Sequence, residues 1–266
     1  MNITFIPNSG LCNRIRGIAS AIFIANKLHA NLIIRWNKEK GCNAAFSDLF
    51  NPIRLSNVVL KENKLFWYAT PMRRNFYIPK YLQNFLFDHR IYDFNKNTSG
   101  NIFDHIKNTK NLLLSSAHSM SEHYPIIKFF EPKQSIIDMI PVFDKKYTTG
   151  IHIRGTDYRV ITNEFMSAYE TEMDRIIEKI PKSKFFLATD EKIVKERLIS
   201  KYGDRIICLN INLTRNNVNG IQGAVADLWG LSKCNKVIGT YYSSFSEIAA
   251  EIGGIELIIP IKDLKK

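Results

Sequence analysis

Residues 148–155 have the sequence TTGIHIRG, and they open the part of the chain that decides the fold. The alternation of isoleucine with histidine predicts a strand at 149–153, with Ile151 and Ile153 on one face and His152 on the other. Downstream, short apolar runs alternate with segments of helical periodicity. The predicted strands are 149–153, 184–188, 205–209, 236–239 and 255–259, and the predicted helices lie near 164–179, 191–201, 222–233 and 244–252. This alternation predicts a doubly wound parallel sheet in the C-terminal half.

The N-terminal half begins with a similar unit. A strand is predicted at Ile3–Ile6, a helix from Leu11 to Ala30 and a second strand at Leu32–Trp36, which together form a βαβ unit. Residues 37–110 are less regular and mix aromatic with basic side chains, and Leu112–Ser115 is a further predicted strand. We therefore expect an α/β protein of two Rossmann-like halves with a cleft between them, divided within 141–147 into domains 1–145 and 146–266.

Composition narrows the class of protein. The chain has 266 residues, of which 45% are hydrophobic and 23% charged, as in ordinary globular proteins. No apolar run reaches the roughly 18–20 residues that span a bilayer, and the first residues lack the basic start of a secretory signal, so we expect a cytoplasmic protein. The net charge of +12 favours an anionic partner, but no run of five basic residues and no nucleic-acid-binding motif is present. Four cysteines without zinc-ligand spacing are expected to be reduced thiols.

Three polar segments follow predicted strands, at the edge where parallel sheets bind ligands. The first is Gly10–Arg16, GLCNRIR, in which a glycine turn opens a helix and Asn13 and Arg14 project from its first turn. Exposed N–H groups at such a helix start favour an anion or a sugar hydroxyl. An ordinary βα turn with a solvated arginine is the alternative.

The second segment is His152–Tyr158, HIRGTDY. Polar groups that end an apolar strand are costly unless they bind something, and the planar guanidinium of Arg154 matches a diphosphate. The alternative is a buried ion pair between Arg154 and Asp157 in a tight turn.

The third segment is Gly239–Ser246, GTYYSSFS, after the strand 236–239. Ser243 is a natural N-cap, and hydroxyl and N–H groups at this helix start would form an anion site, although a plain cap without a ligand is the alternative. Asp190, just after a strand, and Asp227, in the helix before strand 236–239, are further candidates that could equally be capping or surface carboxylates.

In this joint order the three segments resemble the fucosyltransferases that share a GT-B-like fold: the nodulation and core α1,6-, the protein O- and the α1,2-fucosyltransferases. Gly10–Arg16 is similar to the family's Gly-x-x-Asn-Arg-Leu-Arg opening, and His152-x-Arg154-x-x-Asp157 to its His-x-Arg core. Ala188–Asp190 and Thr240–Phe245 resemble its second and third motifs. The resemblance rests on residues 1–36 and 148–259.

The resemblance implies a GT-B-like fold and an enzyme that transfers fucose from GDP-fucose to a glycan with inversion. It also implies that no metal or other cofactor is required, and the chain has no Asp-x-Asp dyad after a predicted strand. Arg154 would then bind the β-phosphate and stabilise the leaving GDP. By the same match, His152 and Asp190 would contact the donor, and Asp227 would bind its guanine base. The N-terminal segment would shape the part of the cleft that holds the sugar. The remaining implied donor contacts are Asn13, Arg14, Ser243, Ser244 and Phe245.

One departure from the family's sequence pattern puts an α1,6 linkage of the transferred fucose in doubt. The α1,6 enzymes carry a second basic residue directly after the core arginine, where this chain has Gly155. We expect a glycan-building enzyme at the cytoplasmic side of a bacterial inner membrane, whose aromatic, basic middle segment approaches a lipid-linked acceptor. The same segment could instead be ordinary core and surface.

The identity of the catalytic base stays open: it is Glu164 or Asp157, or the enzyme has no side chain dedicated to this role. Glu164 is predicted near the start of a helix, whereas Asp157 is close enough to Arg154 to pair with it. Another nucleotide-sugar transferase, a non-catalytic GDP-sugar-binding protein and a nucleic-acid binder are the alternative functions.

Overall fold

The computed structural model describes residues 1–62, 76–155, 161–211 and 214–261. Two compact units each contain one parallel five-stranded sheet: Met1–Lys133 with Arg215–Ile221, and Gln134–Thr214 with Gln222–Lys266. The chain thus divides after Lys133, earlier than the 145/146 boundary expected from the sequence. The intervening segment belongs with the C-terminal unit because it packs there, with the rings of Phe143 and Phe186 5.5 Å apart.

The N-terminal unit has the strand order β3-β2-β1-β5-β4. Its strands are β1 (Asn2–Pro7), β2 (Asn31–Arg35), β3 (Val58–Lys61), β4 (His89–Tyr92) and β5 (Asn111–Ser116). Its helices are α1 (Leu11–Lys27), α2 (Phe46–Leu49), α3 (Lys80–Leu86), α4 (Lys96–Ser99) and α5 (Ile102–His105), with a 3-10 turn at Ile126–Lys128.

Two of these strands lie in the stretch that the sequence left irregular. β3 and β4 are the two edges of the sheet, and each pairs with one neighbour only. Edge strands are partly exposed, so they need no continuous apolar run, and β4 has an exposed start at His89 and Arg90.

Helix α1 ends at Lys27 rather than at Ala30 as expected. His29 has a left-handed backbone (φ 49°). Its N–H donates to Asn26 O (3.3 Å), and the Ala30 N–H donates to Ala25 O (2.9 Å). This pair of bonds closes a helix end in the Schellman manner, so the stop is set by a histidine and not by Asn31.

The C-terminal unit has the strand order β10-β9-β6-β7-β8. Its strands are β6 (Thr148–Ile153), β7 (Lys184–Thr189), β8 (Ile206–Cys208), β9 (Lys236–Ile238) and β10 (Glu256–Ile258). The helices numbered next are α6 (Gln134–Ile137), α7 (Asn163–Lys179), α8 (Lys192–Tyr202), α9 (Val218–Ser232) and α10 (Ser244–Gly253), with 3-10 turns at Lys145–Tyr147 and Gly203–Arg205. All pairings are parallel, which confirms the predicted doubly wound sheet.

Helix α9 begins at Val218, four residues before the predicted start. The side-chain oxygen of Asn217 accepts from the Gly220 N–H (2.8 Å), so an asparagine in the loop caps the helix.

Strand β6 separates two environments in the C-terminal unit. Ile151 and Ile153 join a buried cluster with Phe165 and Tyr169 of α7, as the period of two predicts. His152 therefore points to the opposite face. Because the order of strands reverses between β6 and β9, the carboxyl ends of these two strands mark the place where such sheets bind ligands.

Within the described ranges, no helix has the length and apolar character to cross a membrane. All four cysteines are free thiols.

Candidate active site

The loops after β6 and β9 are joined by the hydroxyl group of Thr240. It donates to His152 O (3.0 Å) and accepts from the Arg154 N–H (3.1 Å). From α7, the hydroxyl of Tyr169 donates to Gly239 O (2.8 Å). These bonds fix the backbone at Arg154 next to the loop that leads into α10.

His152 is buried on the face opposite the isoleucines. Its Nδ1 lies 2.7 Å from the Oγ of Ser246, and its ring stacks on Phe245 with centroids 4.8 Å apart. The pKa of His152 is lowered to about 4, mainly by burial, with a smaller contribution from Arg154 and with Asp190 opposing the shift. The imidazole is therefore neutral at physiological pH.

Asp190 holds the loop that follows β6. Its Oδ1 accepts from the Gly155 N–H (3.0 Å). A Cβ atom at Gly155 would lie 2.4 Å from Cγ of Glu191, so any side chain at 155 displaces Glu191. Asp157 lies outside the described residues, and its predicted pairing with Arg154 stays a prediction.

The start of α10 has the composition of an anion site. Ser243 is its N-cap residue and is 3% exposed, but its side chain makes no capping bond. The Ser243 Oγ has no hydrogen-bond partner among the residues that the structure describes. A buried hydroxyl without a partner costs free energy that a ligand would recover, and the first N–H groups of a helix favour an anion. Ser244 and Phe245, which follow in the first turn, are half-buried.

Asp227 presents a second buried polar group without a bond. It is 3% exposed, and its Oδ1 has no partner in the described part of the chain. Burial raises its pKa to about 8, which Lys195 opposes. The carboxyl group lines a small pocket at the carboxyl ends of β7 and β8, together with Thr189 and Lys195. A protonated carboxyl in such a pocket is available to a ligand with matching polar groups.

Arg14, predicted to bind the donor, is buried in the structure. It is 0% exposed, and its guanidinium donates to Ser9 O (2.9 Å), Asn37 O (2.6 Å) and Glu39 Oε2 (3.2 Å). Three of its five N–H donors thus hold the loops of the N-terminal unit, and its contact with a donor substrate stays a prediction. Asn13 donates to Ser9 Oγ (3.1 Å), and its contact with a donor stays a prediction.

Glu164 lies in the exposed first turn of α7. The helix is capped by Thr162, whose hydroxyl accepts from the Phe165 N–H (3.1 Å). Glu164 is thus reachable from solvent, as a base for an incoming acceptor must be. In the described part of the chain, no group of three His, Cys, Asp or Glu side chains is arranged to hold a metal ion.

The sequence reasoning did not assign roles to Ser246, Lys195 or Tyr169. Ser246 could have been found, because it lies three residues after Ser243 and therefore on the same side of α10. Tyr169 and Lys195 reach the site from α7 and α8, and nothing in the local sequence marks them.

Comparison with known proteins places this fold. No family model and no curated protein sequence matches the chain. Among solved structures, the fucosyltransferase NodZ from Bradyrhizobium is 16% identical, with 93% of this chain and 92% of that chain covered and a TM-score of 0.59. A mutant of FUT1 from Arabidopsis thaliana in complex with GDP is 15% identical, with coverage of 96% and 69% and a TM-score of 0.65.

A third solved structure, POFUT1 in its apo form, is 11% identical, with 97% of each chain covered and a TM-score of 0.56. The chain therefore has the two-unit fold of the GT-B-like fucosyltransferases, as the sequence motifs led us to expect.

Proposed function

We propose that the protein is an inverting, metal-independent glycosyltransferase that transfers fucose from GDP-fucose to a hydroxyl group of a glycan. The observation that carries this proposal is the unpartnered Ser243 hydroxyl at the start of α10, in the same unit as Arg154 and the buried Asp227 carboxyl. A nucleoside diphosphate offers phosphate oxygens to the Ser243 hydroxyl and to Arg154, and a base whose N–H groups match the Asp227 carboxyl. Among solved structures of the same fold, NodZ was co-crystallized with GDP and also soaked with GDP-fucose, and POFUT1 is in complex with GDP, which supports this choice of donor.

Arg154 would provide the positive charge on the leaving diphosphate. Its backbone is fixed by Thr240 and by the neighbouring bond from Gly155 to Asp190. A guanidinium makes paired bonds to phosphate oxygens, and it acts most strongly as negative charge develops there in the transition state. The N–H groups at Ser243 and Ser244 would bind the same diphosphate.

Asp227 would bind the base. As a carboxylate it accepts from two adjacent N–H groups, such as N1–H and the amino group of guanine. Phe245 stacks on His152 and offers its other surface to the nucleotide, while Asp190 would act on the donor through the loop at Gly155.

The chemical step needs a base for the acceptor. The acceptor oxygen forms a bond to the anomeric carbon, the bond from that carbon to the diphosphate oxygen breaks with its electron pair leaving on GDP, and the acceptor proton passes to the base. Glu164 is the candidate that the structure describes, and Asp157 and the absence of a dedicated side chain remain the alternatives.

A lipid-linked glycan acceptor would bring the protein to the surface of a membrane, where we propose that it works on the cytoplasmic side. Helix α3 supports this contact, because Tyr81 (60% exposed) and Phe85 (86% exposed) lie on one face of it. The exposed basic residues Lys80 and Arg90 lie nearby in the chain and suit anionic headgroups.

A ligand screen tests the proposed function. Thermal unfolding would be followed with GDP, GDP-fucose, UDP-sugars and duplex DNA, and GDP-fucose turnover would be measured with and without EDTA. We expect stabilisation by the two guanine ligands only, with slow hydrolysis of GDP-fucose that EDTA does not change. Binding without turnover would favour a non-catalytic GDP-sugar-binding protein. Stabilisation by UDP-sugars would favour another nucleotide-sugar transferase, and stabilisation by DNA would favour a nucleic-acid binder. Loss of turnover in EDTA, restored by Mn²⁺ or Mg²⁺, would reject metal independence.

A further inference from the structure

Ser246 occupies a fully buried position between the two strand ends of the site. It is 0% exposed in the first turn of α10. Its Oγ accepts from the Thr240 N–H (3.1 Å) and lies 2.7 Å from Nδ1 of His152. One side-chain hydroxyl thus connects the loop after β9 to the histidine on β6.

The hydrogen atoms at this hydroxyl can be counted. A serine hydroxyl has one hydrogen to donate. The Thr240 N–H uses Oγ as an acceptor, and His152 Nδ1 is the other hydrogen-bond partner of Oγ in the described structure. If Nδ1 also carried a proton, the serine hydrogen would have no acceptor, which is costly for a group with no exposed surface. The hydrogen of Ser246 therefore points at an unprotonated Nδ1.

The second nitrogen of the ring must then carry the proton of the neutral imidazole. Nε2 has no hydrogen-bond partner among the described residues, and Phe245 covers one face of the ring. The charged groups that act on His152 are Arg154, which disfavours a second proton, and Asp190, which favours one. The net result is a histidine that can donate at Nε2 and whose Nδ1 is already occupied as the acceptor of the Ser246 hydroxyl.

We infer that Ser246 is a positioning residue that holds His152 in the Nε2–H form, so that His152 donates a hydrogen bond to an oxygen of the bound nucleotide and cannot serve as the base for the acceptor. The hydrogen bond from His152 to a bound nucleotide rests on the proposed function, whereas the protonation form of the ring does not. The candidates for the catalytic base therefore stay Glu164, Asp157 or no dedicated side chain, and His152 does not join them although it is the histidine of the core motif.

The ring form can be measured directly in the unliganded protein. Long-range ¹H–¹⁵N correlation spectra of protein labelled in its 6 histidines distinguish protonated from unprotonated ring nitrogens, and the His152→Gln variant identifies the signals of His152. We expect Nδ1 unprotonated and Nε2 protonated, unchanged from pH 5 to pH 8. A protonated Nδ1, or a doubly protonated ring at pH 7, would overturn the inference.

The Ser246→Ala variant tests the positioning role. It should populate the Nδ1–H form and weaken GDP binding about tenfold, the loss of one hydrogen bond. Ser232→Ala is the matched control, since Ser232 is also a buried helical serine and donates to Trp229 O (2.8 Å) away from His152. The control should leave both the spectrum and GDP affinity unchanged. Ser246→Cys, which keeps a weak hydrogen-bond donor, should have a GDP affinity between those of Ser246→Ala and wild type.

The two proposals fail separately. If wild-type protein shows the Nε2–H form but binds no GDP, the proposed function is wrong and the ring assignment stands. If GDP binds and Ser246→Ala changes neither the ring form nor the affinity, Ser246 has no positioning role.

Discussion

Arg154 is the residue whose replacement tests the chemistry most directly. Arg154→Ala should lower transfer by about 10²–10³-fold, the usual loss when one donor to a developing negative charge is removed. Arg154→Lys should recover little, because an ammonium group cannot make paired bonds to phosphate. Initial rates with GDP-fucose measure both, with Arg175→Ala as a control that removes an exposed arginine from α7. More than about a tenth of the activity in Arg154→Ala would contradict the proposed mechanism.

If Asp227 binds guanine as proposed, donor binding should depend on pH. Because its pKa is about 8 in the unliganded protein, and guanine needs the carboxylate, GDP affinity should rise about tenfold per pH unit up to pH 8 and then level off. Calorimetry between pH 6 and 9 measures this, and proton release on binding should accompany it. Asp227→Asn should bind GDP weakly with no such slope, and an equally steep slope in that variant would place the titrating group elsewhere.

The same group affects stability with a definite sign. The folded chain keeps the Asp227 proton up to about pH 8, whereas the unfolded chain loses it near 3.8, so stability falls as the pH rises through this window. The lowered pKa of His152 acts in the opposite direction between about 4 and 6.5. The effect of Asp227 alone is therefore seen between pH 6.5 and 8, where Asp227→Asn should unfold at a higher denaturant concentration than wild type.

At the scale of the secondary-structure element, substitutions at the start of α10 should change GDP affinity without lowering the stability of the fold. Ser243→Ala should weaken GDP several-fold while leaving the free energy of unfolding unchanged or higher, because its hydroxyl has no partner in the described structure. Ser183→Ala should do the reverse, since that buried hydroxyl donates to Ile180 O (2.7 Å) at the other end of the sheet. Chemical denaturation and GDP titration of both variants check this. Loss of stability in Ser243→Ala would show that the hydroxyl serves the fold.

Helix α7 carries the candidate base. Glu164→Gln should lower transfer strongly while donor affinity stays near wild type, because a base acts on the acceptor and not on GDP. Glu172→Gln, on the same helix, is the matched control. Loss of a charge from the first turn costs about 0.3–1 kcal/mol of stability, too little to mimic loss of activity. Normal transfer by Glu164→Gln at all pH values would exclude it as the base.

Burial explains which secondary-structure elements could be predicted from the sequence. β6 is buried on both faces, and α7 has a clear apolar stripe, so both were predicted to within one residue. β3 and β4 lacked a signal because they are edges with one partner each. The end of α1 was misplaced because a histidine takes the left-handed position that usually favours glycine or asparagine.

The positions of the candidate residues were predictable where they directly follow strands, while their roles stay predictions. Ser243 and Asp227 are buried with an unpartnered oxygen in the described structure, an arrangement that no local pattern reveals. The burial of Arg14 was not predictable, because a basic residue at a helix start gives no sign of whether its guanidinium bonds to neighbouring loops. Ser246 depends on a contact with His152, 94 residues away in the chain, and only the fold brings the two together.

At the scale of the whole molecule, the net charge of +12 and the exposed face of α3 predict membrane binding that depends on lipid charge. The protein should sediment with vesicles containing phosphatidylglycerol and less with pure phosphatidylcholine, and added salt should weaken the binding. The double variant Tyr81→Ser/Phe85→Ser should lose most of it. Ile193→Ser, which removes a side chain that is 68% exposed on α8, should bind as wild type does. Equal binding by all variants would leave α3 without a role at the membrane.

The packing of Glu191 against Gly155 also bears on which residues can follow Arg154. A basic residue at this position, as the α1,6 enzymes have, would require the Glu191 side chain to move, because that side chain fills the space that the new Cβ would need. A smaller residue at 191 would remove this conflict. In laboratory evolution, a basic residue at 155 should therefore be tolerated better after a substitution at 191 than before it.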